Sequence, residues 1–273
     1  SKKILQYAII LLGFGMNLFE IFRVGSQSLL IIISTIGTAL VVSYAVSRIM
    51  KIDHDIATLV GVGSSICGGS AIAAAAPVIK ASDEDIAQSI SVIFLFNVIA
   101  AFLFPTLGAI LGFNDMGFGM WAGTAINDTS SVVAAGQTWA SASGSDTALN
   151  YATIVKLTRT LAIIPICLGL AYLTSKRKAT TSEVKISSIF PMFIIYFLGA
   201  SIINTFAGSH FDFFQFLPVI GKFMIAMAMA AIGLNTNLVK LIKTGGKPIL
   251  LGLICWFCIA VVSLAMQHLL NIW

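Results

Sequence analysis

Apolar blocks of about 20 residues recur along this chain and are separated by short polar connections. A helix of that length crosses the roughly 30 Å hydrocarbon core of a bilayer. Hydrophobic residues make up 58% of the sequence and charged residues only 10%, whereas a soluble domain carries roughly 25% charged residues. Transmembrane strands would alternate polar and apolar residues over about 10 positions, and no block does so. The sequence therefore predicts an all-α, polytopic membrane protein.

Breaks in the apolar pattern divide the chain into nine predicted membrane segments. We place them at 4–22, 28–50, 54–80, 85–111, 117–140, 148–174, 186–206, 216–242 and 248–270. The third and fifth segments are interrupted by glycine and polar residues, and each is either a broken span or a re-entrant hairpin. Residues 1–273 are predicted to form a single transmembrane domain in which 175–185 is a charged cytoplasmic loop.

Lysine and arginine residues in the connections predict the orientation, because cytoplasmic loops hold an excess of positive charge. If all segments span, eleven of these residues fall on one side and three on the other, and two hairpins would change the count to twelve against two. Both counts place the N-terminus in the cytoplasm and Trp273 outside. The net charge of +5 therefore reflects topology, and no nucleic-acid partner is expected because the basic residues do not line one face with aromatics.

The sequence predicts no cofactor, metal site or catalytic centre. Cys67 and Cys167 stand alone, while Cys255 and Cys258 form a CxxC inside an apolar span with no second pair or histidine nearby. The three histidines fall near segment ends, and no GxSxG, HExxH or Walker loop occurs. We expect cysteines that serve packing, and a protein that is not an enzyme.

Two weak internal similarities indicate repeats. At an offset of 220 residues, 13–18 (GFGMNL) aligns with 233–238 (GLNTNL), and at an offset of 60 residues, 63–72 aligns with 123–132. An odd number of segment steps separates the first pair, so its two copies are expected to cross the membrane in opposite directions. Inverted repeats of this kind are typical of secondary transporters. One simple duplication does not explain both offsets.

The two interrupted segments hold most of the candidate substrate-binding residues. Glycines beside polar residues favour unwinding of a helix, which is tolerated at membrane depth only where the backbone lines protein or a watery cavity. Half-helix N-termini then attract anions, and half-helix C-termini attract cations. Small residues could instead serve close helix packing. The candidates are Ser65, Cys67, Gly68, Gly69 and Ser70 in the first segment and Asn127, Asp128, Thr129 and Ser130 in the second.

Three ionisable residues lie inside apolar segments. Such a group costs about 2.5–3.5 kcal/mol or more at the centre of a membrane helix, which makes Asp128 a functional candidate by default. Lys156 and Arg159 share a helix face, and we expect them to pair with Asp128 or to attract an anion, although snorkelling would also explain Lys156. Three asparagines are candidates for lining the path or for coupling, with interhelical hydrogen bonding as the alternative: Asn97, Asn17 and Asn237.

These features favour a secondary transporter that exports or exchanges a small inorganic or organic anion. A sodium- or proton-coupled cation antiporter is the alternative within transport, and there Asp128 would be the ion ligand. A non-transporting membrane receptor or scaffold is the alternative of another class, but it leaves the two polar, interrupted segments unexplained. The expected partners are therefore the small anion, a coupling sodium ion or proton, and the lipid bilayer.

Several motifs resemble the YeiH-type family of proposed sulfate exporters. They are 65–74 (SICGGSAIAA) with 76–81 (APVIKA), 121–136 around Asp128, 155–159 (VKLTR), 228–234 (AMAAIGL) and 11–14 (LLGF), so the similarity covers nearly the whole chain. The resemblance implies a bacterial inner-membrane protein that carries sulfate, forms a homodimer and shares an elevator-like fold with crossed broken helices with the bile acid, arsenite and cation-proton antiporter group. It also implies further N-terminal helices in the family, and a histidine at the position of Asn127.

Overall fold

The computed structural model describes residues 2–178, 192–207, 212–235 and 246–272, and every regular element among them is helical. The helices are α1 (Lys2–Gly13), α2 (Leu18–Met50), α3 (His54–Ser65), α4 (Gly69–Ile79), α5 (Asp83–Ile110), α6 (Asp115–Ala125), α7 (Thr129–Ser143), α8 (Thr147–Thr160), α9 (Ile163–Lys178), α10 (Met192–Ala207), α11 (Leu217–Asn235) and α12 (Gly246–Leu269), with a 3₁₀ helix at Asp212–Gln215. The predicted all-α fold class is confirmed.

Among the described residues, four helical stretches are long and apolar enough to cross a membrane. They are α2, α5, the nearly continuous α8–α9 pair over Thr147–Thr174, and α12. Nine spans stay a prediction. Helix α9 continues to Lys178, so residues 175–178 of the predicted loop are helical. The rest of that loop, 179–185, lies outside the described residues.

The first helix boundary differs from the sequence prediction. The apolar pattern predicts a break at 23–27, but α2 runs through these residues and the break falls at 14–17. Asn17 ends this break, because its Oδ1 accepts a hydrogen bond from the Phe19 backbone N–H at 2.8 Å and so caps α2. Gly25 serves packing instead, since a Cβ added there would lie 3.2 Å from Thr158 Oγ1 on α8.

Helices α3 and α4 fold back on each other as a hairpin, here called hairpin 1. Carboxylate oxygens of Asp53 and Asp55, at the start of α3, lie within 4.8 Å of a carboxylate oxygen of Asp85 in the first turn of α5. Because α4 leads directly into α5, hairpin 1 enters and leaves at the same end of the bundle. Its tip is the non-helical stretch 66–68.

Helices α6 and α7 form a second hairpin, hairpin 2, with its tip at 126–128. The Trp139 indole Nε1 in α7 donates a hydrogen bond to Asp115 Oδ1, at the start of α6, at 2.7 Å. The Trp139 ring also stacks on Phe118 with 4.1 Å between ring centroids. The end of α7 is therefore held against the beginning of α6.

The two hairpins approach each other from opposite ends of α5. Hairpin 1 leads into the first residue of α5 and hairpin 2 follows its last, and the 28 residues of α5 span about 42 Å. Asn97 lies near the middle of α5, and it contacts the tip of hairpin 2. The tips therefore meet about halfway along α5.

A second group of helices consists of α1, α10 and α11. Helix α1 packs against both α10 and α11, while α12 packs along α2 and against α6. Helix α11 reaches the hairpin region through its contacts with α7 and through an ion pair between Lys222 Nζ and Asp146 Oδ2 at 2.5 Å.

Gly123 allows α6 to approach α8 closely. A Cβ added there would lie 2.7 Å from Val155 Cβ and 2.9 Å from the Ala152 carbonyl oxygen. Neither neighbour can rotate away, so Gly123→Ala should destabilise the protein by about 1–3 kcal/mol, the usual cost of overpacking. Gly37→Ala is the matched control, because a Cβ there meets open space and Ala favours a helix over Gly by about 1 kcal/mol. Thermal unfolding in detergent would measure both variants, and equal midpoints would contradict this account.

Candidate functional site

The tips of the two hairpins meet beside the middle of α5, at what we call the junction. Asn97 Oδ1 accepts hydrogen bonds from the backbone N–H groups of Asn127 and Asp128, both at 3.1 Å. A Cβ added to Gly68 would lie 3.5 Å from Asn97 Nδ2 and 3.6 Å from Asp128 Cβ. One asparagine side chain thus orients the second tip against the first.

Gly68 makes the turn at the tip of hairpin 1. Its φ of 69° and ψ of −127° lie in the positive-φ half of backbone space that favours glycine. As the N-cap of α4 it supplies no side-chain hydrogen bond. The Ala71 N–H donates to the Gly68 carbonyl at 3.1 Å, whereas the N–H groups of Gly69 and Ser70 have no helical acceptor and no side-chain cap from Gly68. Gly69 is half-buried and Ser70 is exposed at this helix end.

Asp128 begins the second arm of hairpin 2 by capping α7. Its Oδ2 accepts hydrogen bonds from the backbone N–H groups of Ser130 at 3.0 Å and Ser131 at 3.3 Å, and from the Ser130 hydroxyl. A carboxylate at a helix N-terminus is stabilised both by these bonds and by the helix dipole. The N-terminus of α7 is therefore capped by a negatively charged side chain, whereas the N-cap residue of α4 supplies no side-chain cap.

Arg159 on α8 connects the two hairpins through hydrogen bonds to both. Its guanidinium is fully buried, and it donates to the carbonyl oxygens of Ser65 (Nε, 2.8 Å), Ser64 (Nη2, 2.7 Å) and Thr124 (Nη1, 2.5 Å). These carbonyls end α3 and α6, where helices leave acceptors unsatisfied. A cation is also favoured at helix C-termini. Arg159 therefore ties the end of α3 to the end of α6.

Lys156 makes the same kind of bridge one turn earlier on α8. Its Nζ donates to the Ile66 carbonyl at 2.6 Å and to the Ile126 carbonyl at 3.0 Å. Lys156 and Arg159 thus lie on one face of α8, as their spacing predicts. The sequence does not indicate that backbone carbonyls of both tips would be their hydrogen-bond acceptors.

Basic side chains outnumber acidic side chains at the junction. Lys156 and Arg159 are both 0% exposed, and the nearest acidic side chain at the tips is the half-buried Asp128. The uncapped N-terminus of α4 lies beside them and presents further positive partial charge. Such an arrangement can hold a small anion with backbone N–H groups as donors.

Two buried polar side chains at the tips have no hydrogen-bond partner among the described residues. They are the Asn127 amide, of which neither Oδ1 nor Nδ2 is paired, and the Ser64 hydroxyl. Asn127 is only 1% exposed, and a buried unsatisfied polar group costs about 1–3 kcal/mol. Groups of this kind call for a bound partner such as a ligand or water.

The structure brings the other predicted tip residues to the same place. Cys67 is buried in the tip of hairpin 1, and Thr129 is the half-buried first residue of α7. The Ser65 hydroxyl donates to the Val62 carbonyl at 2.9 Å, so it serves the end of α3.

Of the two candidate asparagines that the structure describes, Asn97 contacts a tip and Asn17 caps a helix elsewhere. Asn17 caps α2. The carbonyl of its neighbour Met16 accepts a hydrogen bond from the Ser201 hydroxyl on α10 at 3.2 Å. Asn237 lies outside the described residues.

Sequence reasoning missed a polar contribution from α12. Ser263 Oγ lies 2.6 Å from Thr124 Oγ1. The Gln267 amide, with its oxygen and nitrogen placed by their hydrogen bonds, donates to the Gly117 carbonyl at 3.0 Å and accepts from the Trp121 N–H at 3.3 Å. Ser263 and Gln267 are four residues apart in an apolar run, and this helical spacing was the available signal. Helix α12 thereby supports α6 of hairpin 2.

The family model and the known proteins that match this chain describe a single family. A family model described as conserved hypothetical protein 698 matches residues 1–252. A UPF0324 membrane protein of Streptococcus pyogenes serotype M3 is 58% identical over 279 residues, covering 100% of this chain and 82% of the relative. UPF0324 membrane proteins of Fusobacterium nucleatum and Streptococcus agalactiae serotype V are each 55% identical, over 287 and 276 residues, and cover 100% of this chain with 83% and 82% of the relatives. No solved structure matches the chain.

Proposed function

The chain belongs to the UPF0324 family of membrane proteins, described as conserved hypothetical protein 698, and we propose that it is a secondary transporter carrying a small anion through the junction of its two hairpins. One observation carries this proposal: two fully buried cations, Lys156 and Arg159, hold two hairpin tips beside an uncapped helix N-terminus.

The charge balance favours an anion as cargo. An ammonium group has three donors and a guanidinium has five, and the hydrogen bonds to the tip carbonyls use two and three of them. Asp128 balances one of the two positive charges. An anion at the N-terminus of α4 would balance the other and would give the buried Asn127 amide a partner.

We propose that the hairpins are re-entrant in the bilayer and enter it from opposite faces. Non-helical backbone at membrane depth is expected only where it lines protein or a watery cavity, and tips facing a shared anion site meet that condition. The tips at 66–68 and 126–128 are also 60 residues apart, which is the offset of the sequence repeat between 63–72 and 123–132. This agreement supports a repeat-based site at mid-membrane, as in many transporters.

The other sequence repeat, between 13–18 and 233–238, supports alternating access. Its offset of 220 residues relates α1 to residues 222–233 of α11 and residues 26–49 of α2 to α12, and both of these helix pairs pack together. We propose that they are inverted copies and that hairpins 1 and 2 move against α1, α10 and α11 in an elevator-like cycle. The resemblance to the YeiH-type family supports a homodimer in the bacterial inner membrane and sulfate as the first substrate to test.

The positive-inside argument also suits the hairpin arrangement. Both hairpins being re-entrant gives the count of twelve basic residues against two, and Lys51 and Lys80 then lie at the same end of the bundle, at the two ends of hairpin 1. We propose that this end is cytoplasmic and that the end holding Lys222 is external. Single-cysteine labelling at position 182, within the proposed cytoplasmic loop, tests this, and labelling from outside alone would reverse the orientation.

A cation antiporter is the second candidate, and the half-buried carboxylate of Asp128 at the junction favours it. In that case Asp128 binds the sodium ion or proton directly, and the two cations serve only to hold the tips.

Asp128→Asn separates the two functions with little structural change, because Asn caps a helix about as well as Asp. For an anion carrier, we expect the variant to keep sulfate uptake into proteoliposomes and to bind the anion at least as tightly, since a negative charge is removed. For a cation antiporter, the same variant should lose ion-dependent transport. Absence of sulfate flux in the unmodified protein, together with sodium or proton flux that requires Asp128, would overturn the anion proposal.

Binding can be measured separately from flux through thermal stability. A ligand that binds only the folded state stabilises it by about 2.7 kcal/mol at 100 times its dissociation constant. We expect a panel of oxyanions to raise the unfolding midpoint of the purified protein at constant ionic strength, while sodium and potassium do not. The reverse pattern would favour the cation antiporter.

A further inference from the structure

A cavity of about 700 Å³ lies between α2, α3 and α9, away from the hairpin tips. At its inner end the lining is apolar and includes Leu40, Val62 and Ile166. At its outer end, where α2 ends and α3 begins, the lining includes Arg48 and His54. The cavity is thus amphipathic along its length, and its volume lies in the range of ligand pockets, roughly 300–1,000 Å³.

This groove opens sideways from the helix bundle. Tyr44 on α2 and Leu173 on α9 line it, and they are 61% and 55% exposed. In a membrane protein, apolar side chains exposed along the length of spanning helices face lipid. Gly169 on α9 also lines the groove, and a Cβ added there meets nothing within 4 Å. The space is therefore accessible from the surrounding bilayer.

The polar end of the groove carries a preorganised guanidinium. The Arg48 Cζ lies 5.3 Å from the centroid of the Tyr44 ring, and its Nη2 is 3.3 Å from the Tyr44 hydroxyl. A second basic residue, Lys51, lies three residues further along the chain, at the C-cap of α2. A guanidinium fork matches the geometry of a phosphate group, and basic pockets between membrane helices bind anionic headgroups.

We propose that this groove binds one anionic phospholipid, with its phosphate at Arg48 and an acyl chain along Leu40, Val62 and Ile166. A small hydrated anion would gain nothing from the apolar inner end, and a neutral apolar molecule would not use the guanidinium. A lipid with a negative headgroup matches both ends and reaches the groove directly from the bilayer. The inference is independent of the cargo at the hairpin tips.

Native mass spectrometry of the purified protein, equilibrated with equal amounts of phosphatidylglycerol and phosphatidylcholine, tests the proposal. We expect one phosphatidylglycerol to be retained with at least a tenfold preference over phosphatidylcholine. Gly169→Phe should fill the groove and reduce retention at least tenfold. Gly37→Phe is the matched control, because Gly37 on α2 also faces open space but does not line the groove. Arg48→Gln, on an exposed side chain, should abolish the preference while either lipid is still retained.

Three results would overturn the proposal. The first is equal retention of the two lipids by the unmodified protein. The second is equal phosphatidylglycerol retention by Gly169→Phe and Gly37→Phe. The third is loss of sulfate flux in Gly169→Phe with lipid retention unchanged, which would make the groove part of the cargo path. Failure of the anion-transport proposal, by contrast, would leave all of these lipid measurements unaffected.

Discussion

Arg159→Gln is expected to lower the free energy of unfolding by about 3–5 kcal/mol, the range measured when one member of a buried charged network is removed. The reason is that one guanidinium holds three carbonyl groups from two hairpins, those of Ser64, Ser65 and Thr124. A glutamine is too short and has too few donors to serve all three. The loss leaves buried acceptors unsatisfied and releases the ends of α3 and α6 from each other.

Thermal unfolding in detergent would measure this effect, with Lys222→Gln as the control. Lys222 pairs with Asp146 on a solvent-exposed surface, and such a pair is worth only about 0–1 kcal/mol. Arg159→Lys should fall between the two, because it keeps the charge but loses the planar fork. In a chain of this size, a loss of about 1 kcal/mol lowers the unfolding midpoint by about 2–4 °C. If the midpoints of Arg159→Gln and Lys222→Gln differed by less than about 2 °C, the bridge would not stabilise the fold.

Gly68→Ala is expected to reduce transport at least tenfold and to cost about 1–3 kcal/mol of stability. A non-glycine residue is strained at the φ of 69° that Gly68 adopts. The new Cβ would also lie 3.3 Å from Ile93 Cγ2 and close to Asn97 and Asp128. Since these groups hold the two tips together, relief of the crowding would move the tips apart at the proposed anion site.

Gly144→Ala separates backbone strain from displacement of the tips. Gly144 has a φ of 73° at the end of α7, but a Cβ added there meets nothing within 4 Å. We expect this control to lose about 1–2 kcal/mol of stability from left-handed backbone strain and to keep its flux in proteoliposomes. Equal flux in the Gly68 and Gly144 variants would show that the position of the hairpin 1 tip does not matter for transport.

The positions of the two helix breaks follow from local chemistry and were readable in the sequence. Paired glycines at Gly68 and Gly69 release backbone constraints in an apolar block, and Asp128 followed by Thr129 and Ser130 is a helix N-cap pattern. The structure breaks its helices at 66–68 and 126–128, within the stretches predicted to unwind. Lys156, Arg159 and Asp128 were likewise identifiable, because an ionisable residue in an apolar block is rarely placed without a specific environment.

The hydrogen-bond acceptors of Lys156 and Arg159 could not be predicted from the sequence. Backbone carbonyls occur at every residue, so no residue type marks Ser65 O or Ile126 O as an acceptor. Pairing of Lys156 or Arg159 with Asp128 was the natural expectation from side chains alone. Only the meeting of α3 and α6 on one face of α8 shows that carbonyls at two helix ends receive these donors.

Whether the two halves of each interrupted segment continue in one direction or fold back on each other also depends on tertiary structure. A spanning helix with a break and a hairpin have the same apolar composition, and the sequence left both open. Proximity between residues distant along the chain shows which helices fold back on each other: Trp139 donates to Asp115, and carboxylate oxygens of Asp85 and Asp53 lie within 4.8 Å. The sequence by itself determined an all-α membrane protein with two breaks and three internal charges, because burial in lipid and backbone propensity act locally. The meeting of the tips and the bridging of their carbonyls by one helix were decided only by tertiary packing, because they depend on close contacts between segments far apart along the chain, and no residue type in one segment specifies its neighbours in another.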